Sequence, residues 1–180
     1  LISAYAHVHL LTPQYLFLMW LCYPVIKGLH ELGHALATRV CGGEVKEMGI
    51  TLLLLVPVPY VDASAASAFR ERRQRVMVSV IGVMVELLIA ACATIVWLNI
   101  EDGVVRDLAF VAMFVGGVST LLFNGNPLMR FDGYYALTDA LELPNLAVRA
   151  RAYVAYAAQR FLLGLRTLRS PAANGSERAW

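Results

Sequence analysis

The chain has 180 residues, 59% of them hydrophobic and only 16% charged, where an ordinary soluble domain is roughly 45–50% apolar and about 25% charged. A net charge of +2 is too small to argue for nucleic acid, and a soluble chain this apolar would expose large sticky patches. The composition points to a membrane protein with length enough for one domain.

Residues 1–13 carry no basic stretch ahead of an apolar run, so no signal peptide is expected, and a chain opening on Leu1 is expected to be an excerpt of a longer polypeptide. The first apolar run, Tyr15 to Thr38, is long enough as a helix (about 36 Å) to cross a hydrocarbon core of about 30 Å. It holds Pro24, expected to kink it, and the polar residues Lys27, His30, Glu31 and His34. Gly42-Gly43 is expected to end it. Met48 to Val61 is apolar but too short to span as a helix. Pro57 and Pro59, two apart, suit an edge strand or hairpin, with a re-entrant loop as the alternative.

A second span is expected over Val76 to Leu98, interrupted only by Glu86. A third is expected over Leu108 to Met129, where Gly116, Gly117, Ser119 and Thr120 suit close helix packing. Leu146 to Leu168 mixes arginines with Tyr, Ala, Phe and Leu. It reads as an amphipathic interfacial helix, or as the entry to another span. The polar tail at 169–180 is expected to be disordered. The three cysteines, Cys22, Cys41 and Cys92, are far apart, which argues against a disulfide framework or a thiolate metal site. The expected fold is thus an all-α membrane protein. It has three transmembrane helices in a core over 15–145, a short cytoplasmic-side β-hairpin or re-entrant segment, and an amphipathic or partial fourth helix over 146–168.

The connection over 39–75 carries Arg39, Lys46, Arg70, Arg72, Arg73 and Arg75, whereas 99–107 carries Glu101, Asp102 and Asp107 against Arg106. The positive-inside rule then places 39–75 and 130–180 in the cytoplasm, with residues 1–14 and 99–107 outside.

The chemistry is concentrated in HELGH, His30 to His34. Histidines four apart share one helix face, so two imidazoles can converge on one ion, and Glu31 faces the same cavity. Neutral imidazole suits zinc, and a catalytic zinc takes three protein ligands and one open water position. Three polar groups in five residues of a spanning helix need a shared task. The third-ligand candidates are His7, His9, Asp62, Glu86 and Asp132. Topology favours Asp132, because His30 and His34 lie near the cytoplasmic end of their span and Asp132 follows a span that ends on the same side. His7 and His9 fall on the opposite side, and Glu86 reads as a turn or more too deep.

HELGHAL, followed far downstream by FNGNPLMRFDGYYALTDALELPNL, resembles the site-2 protease family of intramembrane zinc peptidases. The likeness is strongest to its bacterial branch of peptide zinc metalloproteases, and it covers about residues 15 to 150. That resemblance implies one zinc ion held by His30, His34 and Asp132, with Glu31 as general base and Asn126 orienting substrate or stabilising an oxyanion. It implies an integral protein of the bacterial cytoplasmic membrane with its active site towards the cytoplasm. Its partners would be membrane lipid, a peptide or membrane-protein substrate, and export or adaptor proteins. Phe131 stands where leucine is usual, and the short loops leave no room for an inserted PDZ-like domain. The expected reaction is hydrolysis of a peptide bond by zinc-activated water, with Glu31 carrying the proton. The alternative is a non-catalytic, zinc-bound component of an export or maturation complex. A metal or proton transporter ranks below both, because Glu86 is its only mid-span group.

Overall fold

The computed structural model describes residues 12–143 and 145–162, and helix dominates them. His7 and His9 lie outside the described residues, as does the tail expected to be disordered. The chain divides into two units, Leu1–Ala140 and Leu141–Trp180.

Helix α1 runs Pro13–Val40. Pro13 sits in its first turn, where a missing N–H loses no bond, and Pro24 lies inside it. The helix ends as its glycines suggest. Gly42 takes a left-handed φ of 83°, and the Gly43 N–H returns 2.9 Å to Thr38 O.

The choice between hairpin and re-entrant loop resolves structurally as a hairpin. Strand β1 (Met48–Leu53) pairs antiparallel with β2 (Val56–Val61), Leu53 opposite Val56. A two-residue turn makes that closing pair hydrogen-bonded, so Pro57 and Pro59 fall at the alternate positions whose N–H would point away from β1. Neither proline breaks the ladder. The hairpin lies along α1. The Trp20 indole donates to Leu55 O at 3.2 Å near the tip, and Pro59 packs over Gly28. Trp20 to Gly28 is about 12 Å of helix rise.

After a 3-10 turn at Ser64–Ala68, helix α2 runs Arg72–Asn99, longer at its start than the expected Val76 boundary. Helix α3 runs Val104–Met113 and continues, without a break, as a π-wound stretch over Phe114–Asn124. That stretch closes with Gly125 N–H bonding Thr120 O, five residues back, at 2.8 Å. The third apolar helix therefore stops at Asn124 and not at Met129, because the chain turns through Asn126 and Pro127. Two helical segments, Arg72–Asn99 and Val104–Asn124, are long and apolar enough to cross a membrane. Helix α1 is as long as α2, but Lys27, His30, Glu31 and His34 interrupt its apolar run. Helix α4 covers Asp132–Leu141. In the second unit, α5 covers Leu146–Leu162 with no buried side chain among its described residues.

Large side chains fill one end of the three-helix packing. Tyr15, Ile26, Trp97, Phe110, Val111 and Val115 form the hydrophobic cluster there, and Tyr15 and Phe110 meet edge-on at 6.1 Å. Asp107 caps that end, accepting from the Tyr15 hydroxyl and, at 3.2 Å, from Gln14. Beyond this cluster small residues replace large ones. A Cβ on Gly33 would meet Val85 at 3.1 Å, and one on Gly116 would press on Glu86 O at 2.8 Å. Close helix approach of this kind brings polar side chains of neighbouring helices within reach of one another.

Candidate metal centre

His30 and His34 are buried on the face of α1 that meets α2. Their Nε2 atoms lie 3.1 Å apart, their rings edge to face with centroids at 4.7 Å. Asp132 enters from the start of α4, its Oδ2 3.0 Å from His30 Nε2 and 3.4 Å from His34 Nε2. Gly133 allows that entry, because a Cβ there would strike Gly125 O at 2.5 Å. The three residues form a group able to hold a metal ion.

The fit can be tested on distances. Ligand atoms at about 2.0–2.2 Å from a tetrahedral zinc stand about 3.3 Å from one another. The observed edges of 3.0, 3.1 and 3.4 Å make one such triangular face. Asp132 Oδ2 is also buried with no aligned hydrogen-bond donor, the situation of an acceptor shaped for something other than a hydrogen bond. Burial pushes the Asp132 carboxyl up, but the close approach of the His30 and His34 imidazoles outweighs it and holds the group well below the usual carboxylate range.

Glu31 stands beside this triangle, its Oε1 3.9 Å from His30 Nε2, and interacts with the backbone of Val61 at the end of β2. Two cavities of about 520 Å³ each reach it. One is the more polar of the two, with Glu31, His34, Ser64, Ser67, Asp132 and Asp139 in its wall beside apolar residues such as Val61 and Val78. Its rim is held by Arg75, which bonds Asp139 at 3.1 Å and Phe69 O at 2.9 Å. The other runs from Glu31 between α1 and the hairpin, past Leu29 and Leu32 to Met48 and Ile50, and is apolar.

The remaining sequence candidates separate cleanly. Asp62 is not brought to the imidazoles. It accepts from Ser64 N–H at 3.0 Å, and bonds from Ser64 hold its carboxyl below the ordinary value. Asn126 is committed to the turn, its amide donating to Leu122 O at 3.2 Å and its carbonyl accepting from Leu128 N–H at 3.0 Å. The depth argument against Glu86 needs correcting. Its Oε1 reaches within 3.2 Å of His30 Nδ1, because Lys27, one turn before His30, draws it in at 2.5 Å. It stands behind His30, on the ring edge opposite the ligand triangle. Thr120 and Asn124, which also bond Glu86, had no signal in the sequence. Lys27 and Glu86 did have one, as opposite charges in two apolar segments that have to meet.

The chain matches no family model, no curated protein and no solved structure.

Proposed function

We propose that the protein is a membrane-embedded zinc metallopeptidase of the site-2 protease type, spanning the membrane three times and cutting polypeptides at or in the bilayer. The observation that carries this reading is the triangle of His30 Nε2, His34 Nε2 and Asp132 Oδ2 with the Glu31 carboxylate 3.9 Å away. A zinc ion bound there would supply a Lewis acid and lower the pKa of water to about 7. Glu31 then takes the proton from the attacking water and returns it to the leaving amine. Its place between a more polar and an apolar cavity lets water approach from one side and an apolar substrate segment from the other.

The substrate has to be extended, since a helical carbonyl is already bonded. Strand β1 offers an edge for that. In the hairpin's register, Met48, Ile50 and Leu52 turn their N–H and C=O groups away from β2, and a peptide can add there as a further strand. Large apolar side chains exposed along the helices, such as Val25, Leu36, Leu88, Ile95 and Leu121, support a lipid surround.

The deciding experiment is Glu31→Gln in detergent-purified protein. Zinc is expected to stay near one per chain while cleavage of a membrane-protein substrate falls at least 1,000-fold. Cleavage at the wild-type rate would remove the mechanism. A variant that keeps zinc and full cellular function without cleavage would support the non-catalytic, zinc-bound component instead.

A further inference from the structure

We propose that Glu86 is a positioning residue for the metal centre, holding His30 by its Nδ1 so that Nε2 faces the ligand triangle. The proposal rests on the metal-site reading above but concerns a residue outside its ligand set.

Each histidine of the pair needs its far nitrogen fixed. His34 is fixed by backbone, its Nδ1 lying 2.7 Å from Val78 O. His30 has no carbonyl in that place. Its Nδ1 is buried, has no aligned partner, and lies 3.2 Å from Glu86 Oε1. A ligating histidine that donates its other N–H to a carboxylate is locked in tautomer and orientation, and its basicity rises.

Glu86 is built as a fixed post. It is fully buried. Lys27 Nζ holds Oε1 at 2.5 Å, and the Thr120 hydroxyl and, at 3.4 Å, the Asn124 amide hold Oε2. Partners from α1 and from the π-wound stretch therefore fix a carboxylate carried by α2. An ion pair with Lys27 alone would not need the second oxygen held, nor the first one placed against an imidazole. Gly116 adds to the case, because its lack of a Cβ lets the π-wound stretch lie on Glu86 O and bring Thr120 within reach.

The test replaces zinc by cobalt(II), whose visible ligand-field bands report the coordination sphere without reference to activity. Lys27→Met with Glu86→Leu removes both charges together, so neither is left buried and unpaired. Helix content is expected to persist, with cobalt affinity about 10–100-fold weaker and altered bands. Glu86→Gln keeps an acceptor at the same reach, and it is expected to retain the wild-type band pattern and lose less affinity than the double variant. Wild-type affinity and bands in the double variant would overturn the proposal and leave Glu86 as the counter-ion of Lys27. Should the double variant not fold, Glu86→Asp decides. It withdraws the carboxylate by one methylene, and unchanged affinity and bands there would equally overturn the proposal. Absence of cobalt binding by the wild-type protein would instead sink the metal reading itself, and this proposal with it.

Discussion

At Gly82 the two imidazoles leave no space for a side chain. A Cβ there would collide with His34 Nε2, and it would lie 2.5 Å from His30 Cε1 and 2.7 Å from His30 Nε2. Both rings are held from behind, His34 at 2.7 Å from Val78 O and His30 by its closeness to Glu86, so neither retreats freely. Gly82→Ala is therefore expected to cut zinc content at least 10-fold while far-UV circular dichroism keeps its helical signal. Stoichiometric zinc in that variant would show that the rings can move aside. The pairing of His30 and His34 was legible in the sequence, because HELGH fixes its own geometry on a helix. Asp132 was legible through the turn-forming Pro127 and Gly133 around it. Gly82 was not, since nothing local marks which glycine of an apolar run faces another helix's polar pair. Asn126 shows the reverse case: its place in a motif suggested chemistry, and its hydrogen bonds serve the turn.

Among the elements, the hairpin carries the clearest local conflict. Its turn residues, Leu54 and Leu55, have φ of 49° and 67°, a conformation that favours Asn and Gly and costs a branched side chain about 1–3 kcal/mol. They are also 92% and 82% exposed. Replacing the pair, Leu54→Asn with Leu55→Gly, is expected to stabilise the hairpin by about 1–2 kcal/mol. The measurement is hydrogen exchange in detergent, where the ladder amides of Thr51 and Val58 are expected to slow about 10-fold. Unchanged exchange would mean that the Trp20 contact, not the turn, sets the hairpin's opening. Sequence could say that 48–61 was too short to span and that its prolines needed an unbonded edge. It could not say that the hairpin runs back along α1, since that depends on the Trp20–Leu55 bond and on Pro59 meeting Gly28. The helices were legible in kind and order from their apolar runs. Their ends were less so, because Gly103 and the turn at Gly125 and Asn126 set the limits of α3 by tertiary geometry.

For the molecule as a whole, the arginines of 70–75 and the acids of 101–107 separate the two ends of α2 by charge. If α1, α2 and α3 all span, those ends lie on opposite sides of the membrane. In a background lacking Cys22, Cys41 and Cys92, a membrane-impermeant maleimide added to intact cells is expected to label Glu101→Cys and leave Ala68→Cys unlabelled. The reverse pattern would invert the topology and put the metal centre on the outer face. The division of labour along the bundle follows the same axis, with aromatic packing around Phe110 at one end and the histidine pair at the other. The π-wound stretch Phe114–Asn124 lies along the same axis. It has a consequence for how this chain can change through evolution. Each wide turn holds one residue more than an α-turn would need, so a single residue lost there is absorbed as the turn tightens, and what lies downstream keeps its direction. The same loss from the α-wound part, Val104–Met113, has no such slack, and it would swing everything downstream by about 100° and carry Asp132 away from the imidazoles. The wide turns are thus the place where this helix tolerates a change of length, as exposed Val118 and Leu121 are places where it tolerates a change of side chain.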